Sequence, residues 1–284
     1  MSTSNDPGKR KKLAALAVAG VVLLVTALQA YTAQNYMEED SPFYSGNHAL
    51  DRLEPVETLT VVSYNIWFGD NIDQAISELR EIESQRALDI VLLQEMDESG
   101  TEQIARELQL NYVYFPAAIE PTYDENFGNA ILSRWPILDP QKLILPHKSF
   151  SNRMNRIATR ATVQIQGMDI FVYSVHTESV FTLPKFRKEQ YTAILQDMDP
   201  EAGFVIVGGD FNSFTQTAVE EIEQSYQDAG LSRVSRDSGH SVVKFGIGLS
   251  TDHIFAKGFM MEQAGTLAGA TASDHVPIWV TMTR

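Results

Sequence analysis

An α/β fold is what this chain predicts, on three observations. From residue 59 onward, short apolar runs alternate with amphipathic helical stripes. Apolar residues make up 44% of 284, enough for a sizeable core. Six of the apolar runs carry Asn, Asp, Glu or His at one end. Strands of a sheet that all end in polar groups place those groups along one edge. The length suits one large domain or two small ones, and no internal repeat or low-complexity tract divides it.

The N-terminal part reads as three segments. Residues 1–12 are a basic segment in which Lys9, Arg10, Lys11 and Lys12 face only Asp6. Residues 13–30 hold no charged residue. As a helix these eighteen residues rise about 27 Å, against the ~30 Å hydrocarbon core of a bilayer. The preceding cations predict a cytoplasmic N-terminus and a transmembrane anchor, with the body outside the cytoplasm. The alternative is a signal peptide cut near Ala30, leaving a secreted or periplasmic protein. Leu28, bulky where a small residue is preferred, favours the anchor. Residues 31–58 predict an acidic, turn-rich tether, with Glu38, Glu39 and Asp40, Ser41-Pro42 and Ser45-Gly46-Asn47. Residues 59–284 are the predicted main domain.

Within that domain the elements follow in order. Residues 59–64 predict a strand ending at Asn65. Ile72, Ala75, Ile76, Leu79 and Ile82 give a helical stripe over 71–87. Ile90-Val91-Leu92-Leu93 is a buried strand ending at Gln94-Glu95. Ser99 and Glu102 predict a capping box for a helix reaching Leu110. Residues 129–132 form a strand stopped before Pro136. Residues 161–166 and 169–175 predict a hairpin about Gly167, its second strand ending at His176. Phe186, Tyr191, Ile194, Leu195 and Met198 mark a helix face. Residues 204–207 are a buried strand running into Gly208-Gly209-Asp210-Phe211-Asn212. A helix over 218–229 stops at Gly230. Strands at 252–256 and 276–282 close the chain.

Charge and composition exclude several classes. There is no cysteine, hence no disulfide, thiolate nucleophile or Cys-bound metal. With 22 Lys and Arg against 37 Asp and Glu the net charge is −15. The segment before Leu13 is +3, which leaves −18 beyond it. Such a body is a poor general clamp for nucleic acid, whose phosphates require cations. Yet no acid occurs between Pro140 and Met168, while Lys142, Lys148, Arg153, Arg156 and Arg160 do. That stretch is either a solvated basic face or a local anion site. No Gly-x-Ser-x-Gly elbow marks a serine hydrolase.

The polar strand ends are Asn65, Glu95, His176, Asp210 with Asn212, Asp252, and Asp274-His275. Carboxylates and amide oxygens suit Mg²⁺, with Mn²⁺ as the alternative ion. A metal polarises a phosphoryl oxygen while a carboxylate activates water. An Asp–His pair supplies an oriented imidazole. Asn129 and Arg160 are further candidates, the latter as a phosphate neutraliser. His253 is expected to be structural, and His48, His147 and His240 to be surface residues.

The motifs Ser63-Tyr64-Asn65-Ile66, Leu93-Gln94-Glu95, Gly128-Asn129-Ala130-Ile131-Leu132-Ser133, Gly209-Asp210-Phe211-Asn212, Thr251-Asp252-His253-Ile254-Phe255 and Ser273-Asp274-His275 resemble those of the endonuclease/exonuclease/phosphatase family of metal-dependent phosphodiesterases. The resemblance implies a four-layer α/β sandwich, two mixed sheets face to face with helices outside. It implies that Glu95 is the main metal ligand, with Asn65 beside it and Asp274 as a further ligand or positioning carboxylate. Asp210 would orient or deprotonate the attacking water, and Asn212 would hold a phosphate oxygen or the metal shell. His275 would face the scissile phosphate, held by Asp252, with His176 as a second catalytic histidine. The sequence His176-Thr177-Glu178 departs from the family, which places a small or apolar residue and then a polar one after that histidine. The expected protein is a monomer hydrolysing a phosphate ester, either a lipid head group or a short or single-stranded nucleic acid. The rival is a non-catalytic binding or scaffold protein on the same fold.

Overall fold

The computed structural model describes residues 32–50, 57–244 and 247–284. The basic segment 1–12 and the expected anchor 13–30 lie outside the described residues. Among the described residues no helix is long and apolar enough to cross a membrane.

In chain order the strands are β1 Gln34–Asn35, β2 Tyr44–Gly46, β3 Thr58–Asn65, β4 Ile90–Met96, β5 Asn111–Glu120, β6 Glu125–Ser133, β7 Ile137–Lys148, β8 Asn155–Ile165, β9 Met168–His176, β10 Val205–Asp210, β11 Ser232–Arg233, β12 Val242–Lys244, β13 Ile247–Leu249, β14 Asp252–Lys257, β15 Met260–Thr266 and β16 Ile278–Thr283. The helices are α1 Ile72–Gln85, α2 Glu98–Glu107, α3 Pro184–Asp197 and α4 Gln216–Asp228. Among the described residues the larger strands form two mixed sheets. One has the order β1-β5-β6-β4-β3-β16-β15, with β2 also on β5. The other has the order β11-β14-β10-β9-β8-β7. A small β12-β13 ribbon lies apart. Each large sheet holds one parallel pair at its centre, β3 with β4 and β9 with β10.

Alternation along each strand builds the layers. In β3, Leu59 and Val61 face the inter-sheet core, whereas Val62 and Tyr64 pack with α1 and α2. Ile90 and Leu92 of β4 repeat the first choice, Val91 and Leu93 the second. From the other sheet Ile170, Val172, Ile206 and Ile254 point into the same inner core. On its outer side Tyr173, Val205, Val207 and Phe255 pack with Ile194 of α3 and with Ile222 and Tyr226 of α4. The packing order is therefore helices, sheet, sheet, helices. Strands buried on both faces read as unbroken apolar runs, which is why these were visible in the sequence.

Two expectations need correction, and three strands went unpredicted. The segment expected as a tether is in part sheet, because β1 and β2 pair with β5 and Ala33 is buried. The cap of α2 is Asp97, whose carboxylate accepts from Gly100 N at 2.9 Å, and not Ser99, whose hydroxyl donates to Asp97 at 2.6 Å. The long strands β5 and β7 and the edge strand β15 had no clean signal. β5 and β7 carry prolines and register shifts, and β15 is largely exposed.

At Gly209 the two middle strands of the second sheet leave no room for a side chain. The Gly209 φ is +150°, and a Cβ there would stand 1.9 Å from Val175 O. Gly167, at the β8–β9 turn with φ +80°, has no atom within 4 Å of a Cβ. Gly209→Ala should therefore cost about 3–5 kcal/mol, and Gly167→Ala only about 1–2 kcal/mol, for its conformation alone. Urea denaturation midpoints test this; similar losses for both would contradict it.

Candidate active site

The site follows from strand register. Asp210 at the end of β10 stands beside His176 at the end of parallel β9. It also stands beside Asp252 at the start of antiparallel β14. In the facing sheet, β3 and β4 run parallel and finish at Asn65 and Glu95–Met96. A register shift between Leu93 and Met96 takes Glu95 out of the ladder, in the left-handed region with φ 58°. Such bulges redirect a side chain at the end of a pairing. The loop before β16 supplies Asp274 and His275.

Across the gap between the sheets, Asn65 Nδ2 donates to Glu95 Oε1 at 3.1 Å and to Asp210 Oδ2 at 3.3 Å. One amide thus links carboxylates from both sheets. His275 Nδ1 donates to Asp252 Oδ2 at 2.8 Å. Its Nε2 lies 3.8 Å from both Asp210 Oδ2 and Asp274 Oδ1. His176 Nε2 lies 3.6 Å from Glu95 Oε1 and 3.8 Å from Asp210 Oδ2. Asn212, with φ 48°, donates its N–H to Asp210 Oδ1 at 2.7 Å and its Nδ2 to Thr177 O at 3.1 Å. The structure brings all eight predicted site residues to this end of the sandwich.

Burial sets the electrostatics. It raises the Asp210 carboxyl to about 7, with the negative charge of Asp252 acting the same way. Glu95 is also raised by burial, partly offset by Arg156. For His275 burial works toward neutrality, but the charges of Asp252, Asp210 and Asp274 overcome it and push the imidazole up to about 10. Asp252 in turn is held below the usual carboxylate range: burial opposes this, and His275 outweighs it. His176 goes the other way. Burial, then the cations Arg156 and His275, hold it neutral.

Two candidates lie elsewhere in function. Asn129 Nδ2 donates to Ile157 O at 2.9 Å and Ser174 O at 3.2 Å, so it ties the two sheets together. Arg160 pairs with Asp197 at 3.3 Å and with Gln141, on the outer side against α3. Arg156, one helical-looking step earlier but on a strand, is the cation at the site. Its Nη1 is 3.2 Å from His176 Nδ1, and its guanidinium sits 5.7 Å from the Phe127 ring centre. Its Nη2 is 3.9 Å from Glu178, a fully buried carboxylate. The acid-free stretch was the signal for Arg156, but the strand end, not the cation count, selects it. That stretch is neither one solvated face nor one anion site. Lys142, for example, is buried and donates to Ser41 O at 3.0 Å. His253 is structural as expected, its Nε2 donating to Ser213 O at 3.1 Å. His147 and His48 are less free than expected, stacked on Phe186 and Tyr112 respectively.

Among the described residues, no three carboxylate or imidazole side chains are grouped tightly enough to enclose a metal ion by themselves. The donor set nevertheless fits a hard cation that keeps several waters. Glu95, Asp274 and the Asn65 carbonyl offer oxygen alone, and Mg²⁺ needs only one or two carboxylates from protein. The raised Glu95 carboxyl shows a negative charge that burial disfavours, a cost that a bound cation would remove.

The two facing sheets with helices outside, and the polar end they share, place the chain in the α/β sandwich class. A family model described as the endonuclease/exonuclease/phosphatase family matches residues 62–275, most of the chain, and the chain belongs to that family. A UPF0294 protein of Vibrio cholerae serotype O1 is 31% identical over 114 residues, 40% of this chain and 40% of that protein. One from Yersinia pestis is 30% identical over 114 residues, 40% of this chain and 43% of that protein. The chain thus matches about two fifths of the length of these curated relatives. Among solved structures, an endonuclease/exonuclease/phosphatase from Beutenbergia cavernae superimposes with a TM-score of 0.64 at 19% identity, over 80% of this chain and 72% of that one. TDP2 of D. rerio, complexed with a single-strand DNA product, gives 0.65 at 18%, over 81% and 100%. A mannosyl-6-phosphatase of Bacteroides thetaiotaomicron gives 0.61 at 18%, over 80% and 100%. At these identities the structural likeness speaks for the fold.

The buried acid has a consequence for stability. Asp210 keeps its proton to about pH 7 when folded, against 3.8 ordinarily. The folded state therefore holds the extra proton between those values, and the stability it brings is lost as pH rises through them. His275 acts in the same direction over the next interval, from 6.5 to about 10. His176 and His253, both lowered by burial, act oppositely below 6.5. In EDTA the urea midpoint should therefore fall as pH rises from about 7 to about 9, and Asp210→Asn, which removes one of the charges raising His275, should shrink that fall. A wild-type profile that is flat or rising across this range would contradict the account.

Proposed function

We propose that the chain is a divalent-metal-dependent phosphodiesterase that cleaves a P–O bond by in-line attack of water, without a covalent enzyme intermediate. The observation that carries this reading is the shared bond of Asn65 to Glu95 and Asp210, with the Asp252–His275 pair beside it. This joins an oxygen-donor set, a raised carboxylate and an oriented imidazolium in one pocket.

Glu95, Asn65 and Asp274 would hold Mg²⁺, or Mn²⁺ in its place. When bound, the ion supplies charge neutralisation and polarises the phosphoryl oxygen. Asp210 is the base that takes the proton from the attacking water; a carboxyl near 7 accepts it at neutral pH with little cost. The Asn212 backbone N–H fixes the Asp210 carboxylate, and its side-chain amide would hold a phosphate oxygen or the metal shell. His275, kept cationic by Asp252, faces the phosphate and stabilises developing charge there. Neutral His176 lies under Arg156, which adds positive charge at the mouth of the site.

The substrate class is a phosphodiester of a lipid head group or of short or single-stranded nucleic acid. That TDP2 was crystallised with a single-strand DNA product supports the second source. The apolar run at 13–30 supports a lipid head group or a nucleic acid outside the cytoplasm, and the acidic body disfavours long duplex DNA. The proposed setting is a monomer anchored by residues 13–30, N-terminus in the cytoplasm and catalytic domain outside it; export after cleavage is the other route.

Hydrolysis of bis(4-nitrophenyl) phosphate by the purified full chain tests the chemistry. Mg²⁺ should support turnover and EDTA abolish it. Asp210→Asn should lower kcat by about 10²–10⁴-fold, with the fold intact by circular dichroism. Full activity in EDTA, or in the variant, would contradict the proposal. Inactivity of the metal-loaded wild type toward every phosphate ester would favour a binding protein on the same fold.

A further inference from the structure

We infer that the turn between β7 and β8 and the loop after β9 form a surface that docks onto a lipid bilayer and holds the mouth of the site against it. The inference rests on the anchor and phosphoesterase readings proposed above.

Three apolar side chains project at this end, and no described residue covers them. Phe181 is 96% exposed, Phe150 86% and Leu183 63%. Folded chains do not ordinarily gather large apolar groups on neighbouring loop tips unless something covers them. The two loops are neighbours. α3, which begins one residue after Leu183, lies on the end of β7: Phe186 stacks on His147 with ring centres 4.0 Å apart, and Gln190 Nε2 donates to Pro146 O at 2.8 Å. Both loops border the site. The first ends two residues before Arg156, and the second follows His176 directly.

The occupant is indicated by where the chain enters. Ala33 N donates to Asn152 O at 2.8 Å, inside the β7–β8 turn. The apolar run 13–30 ends three residues earlier, a reach of at most ~11 Å. If that run crosses a bilayer, the Phe150 turn stands at the membrane surface by chain length alone. The charges agree. Lys148 and Arg153 flank Phe150, and Lys185 follows Leu183. No acid occurs from 140 to 168 in a chain that is otherwise strongly acidic. The nearest acid on α3, Glu189, is paired with His147 and with Lys185 at 3.4 Å. Aromatic tips ringed by Lys and Arg suit the boundary between anionic head groups and acyl chains.

The chain has no cysteine, so single cysteines report cleanly. Phe150→Cys, Phe181→Cys and Asp169→Cys would be made in the full chain, the last at the opposite end of the sheet. Each is labelled with an environment-sensitive fluorophore and reconstituted into phosphatidylcholine–phosphatidylglycerol vesicles containing lipid brominated on its acyl chain. Quenching should be about twofold or more stronger at 150 and 181 than at 169, as for groups seated ~5–10 Å into the interface. Equal quenching at all three positions in protein that floats with the vesicles overturns the inference. So does failure to float. Shielding of the labels without quenching also overturns it, since another protein surface would then cover them. Hydrolysis of soluble bis(4-nitrophenyl) phosphate in the same samples separates the two readings. Activity without quenching removes the docking surface alone, and quenching without activity removes only the phosphoesterase.

Discussion

Apolar packing between two sheets is strong but does not fix how far one slides along the other. Here directional bonds do so. Gln94 Nε2 donates to Ser174 Oγ at 3.0 Å, and Ser174 Oγ donates to Leu93 O at 3.0 Å. Asn129 reaches across to Ile157 O and Ser174 O, and Thr159 Oγ1 returns a bond to Asn129 O at 2.9 Å. These groups are fully or almost fully buried, where an unpaired donor or acceptor costs about 1–3 kcal/mol. A slip of one residue would break the set. With the register fixed, the ends of β3 and β4 must face the ends of β9 and β10, and the site assembles as a result.

The same desolvation that makes the bridge specific makes the pocket reactive. Four acids of unequal surroundings meet there. Asp252 has a tight imidazolium partner and stays ionised. Asp210 has no cation in hydrogen-bond contact and is raised. In the proposed mechanism this separation of the two carboxyls gives Asp252 an anchoring role and Asp210 a basic one. Arg156 and buried Glu178 extend the charge pattern outward beneath His176. Glu178 belongs to that extension. Its carboxylate accepts from Ser179 N at 2.8 Å and lies opposite Arg156, so it braces the loop that carries Phe181.

Much of this was legible in the sequence because buried strands and polar ends are local signals. Asp210 and Glu95 were each readable from a run of apolar residues that stopped at a charge, and His275 from an apolar run that began just after it. What was hidden was non-local. Arg156 and Arg160 have the same chemistry and the same basic neighbourhood. Only the position along β8 decides that one meets His176 while the other meets Asp197. Asn129 sits in a recognisable motif, yet it serves the inter-sheet bridge. β1 and β2 were missed because a two- or three-residue strand has no period of its own and exists only by pairing with β5.

In the proposed reaction water, activated at Asp210, displaces the leaving alcohol from phosphorus in a single step. The stereochemistry at phosphorus tests it most directly. A phosphorothioate diester of one configuration, hydrolysed by the metal-loaded full chain in ¹⁸O-water, gives a chiral product. A single in-line displacement predicts inversion. Retention would require two displacements through a covalent enzyme intermediate, and would contradict the claim.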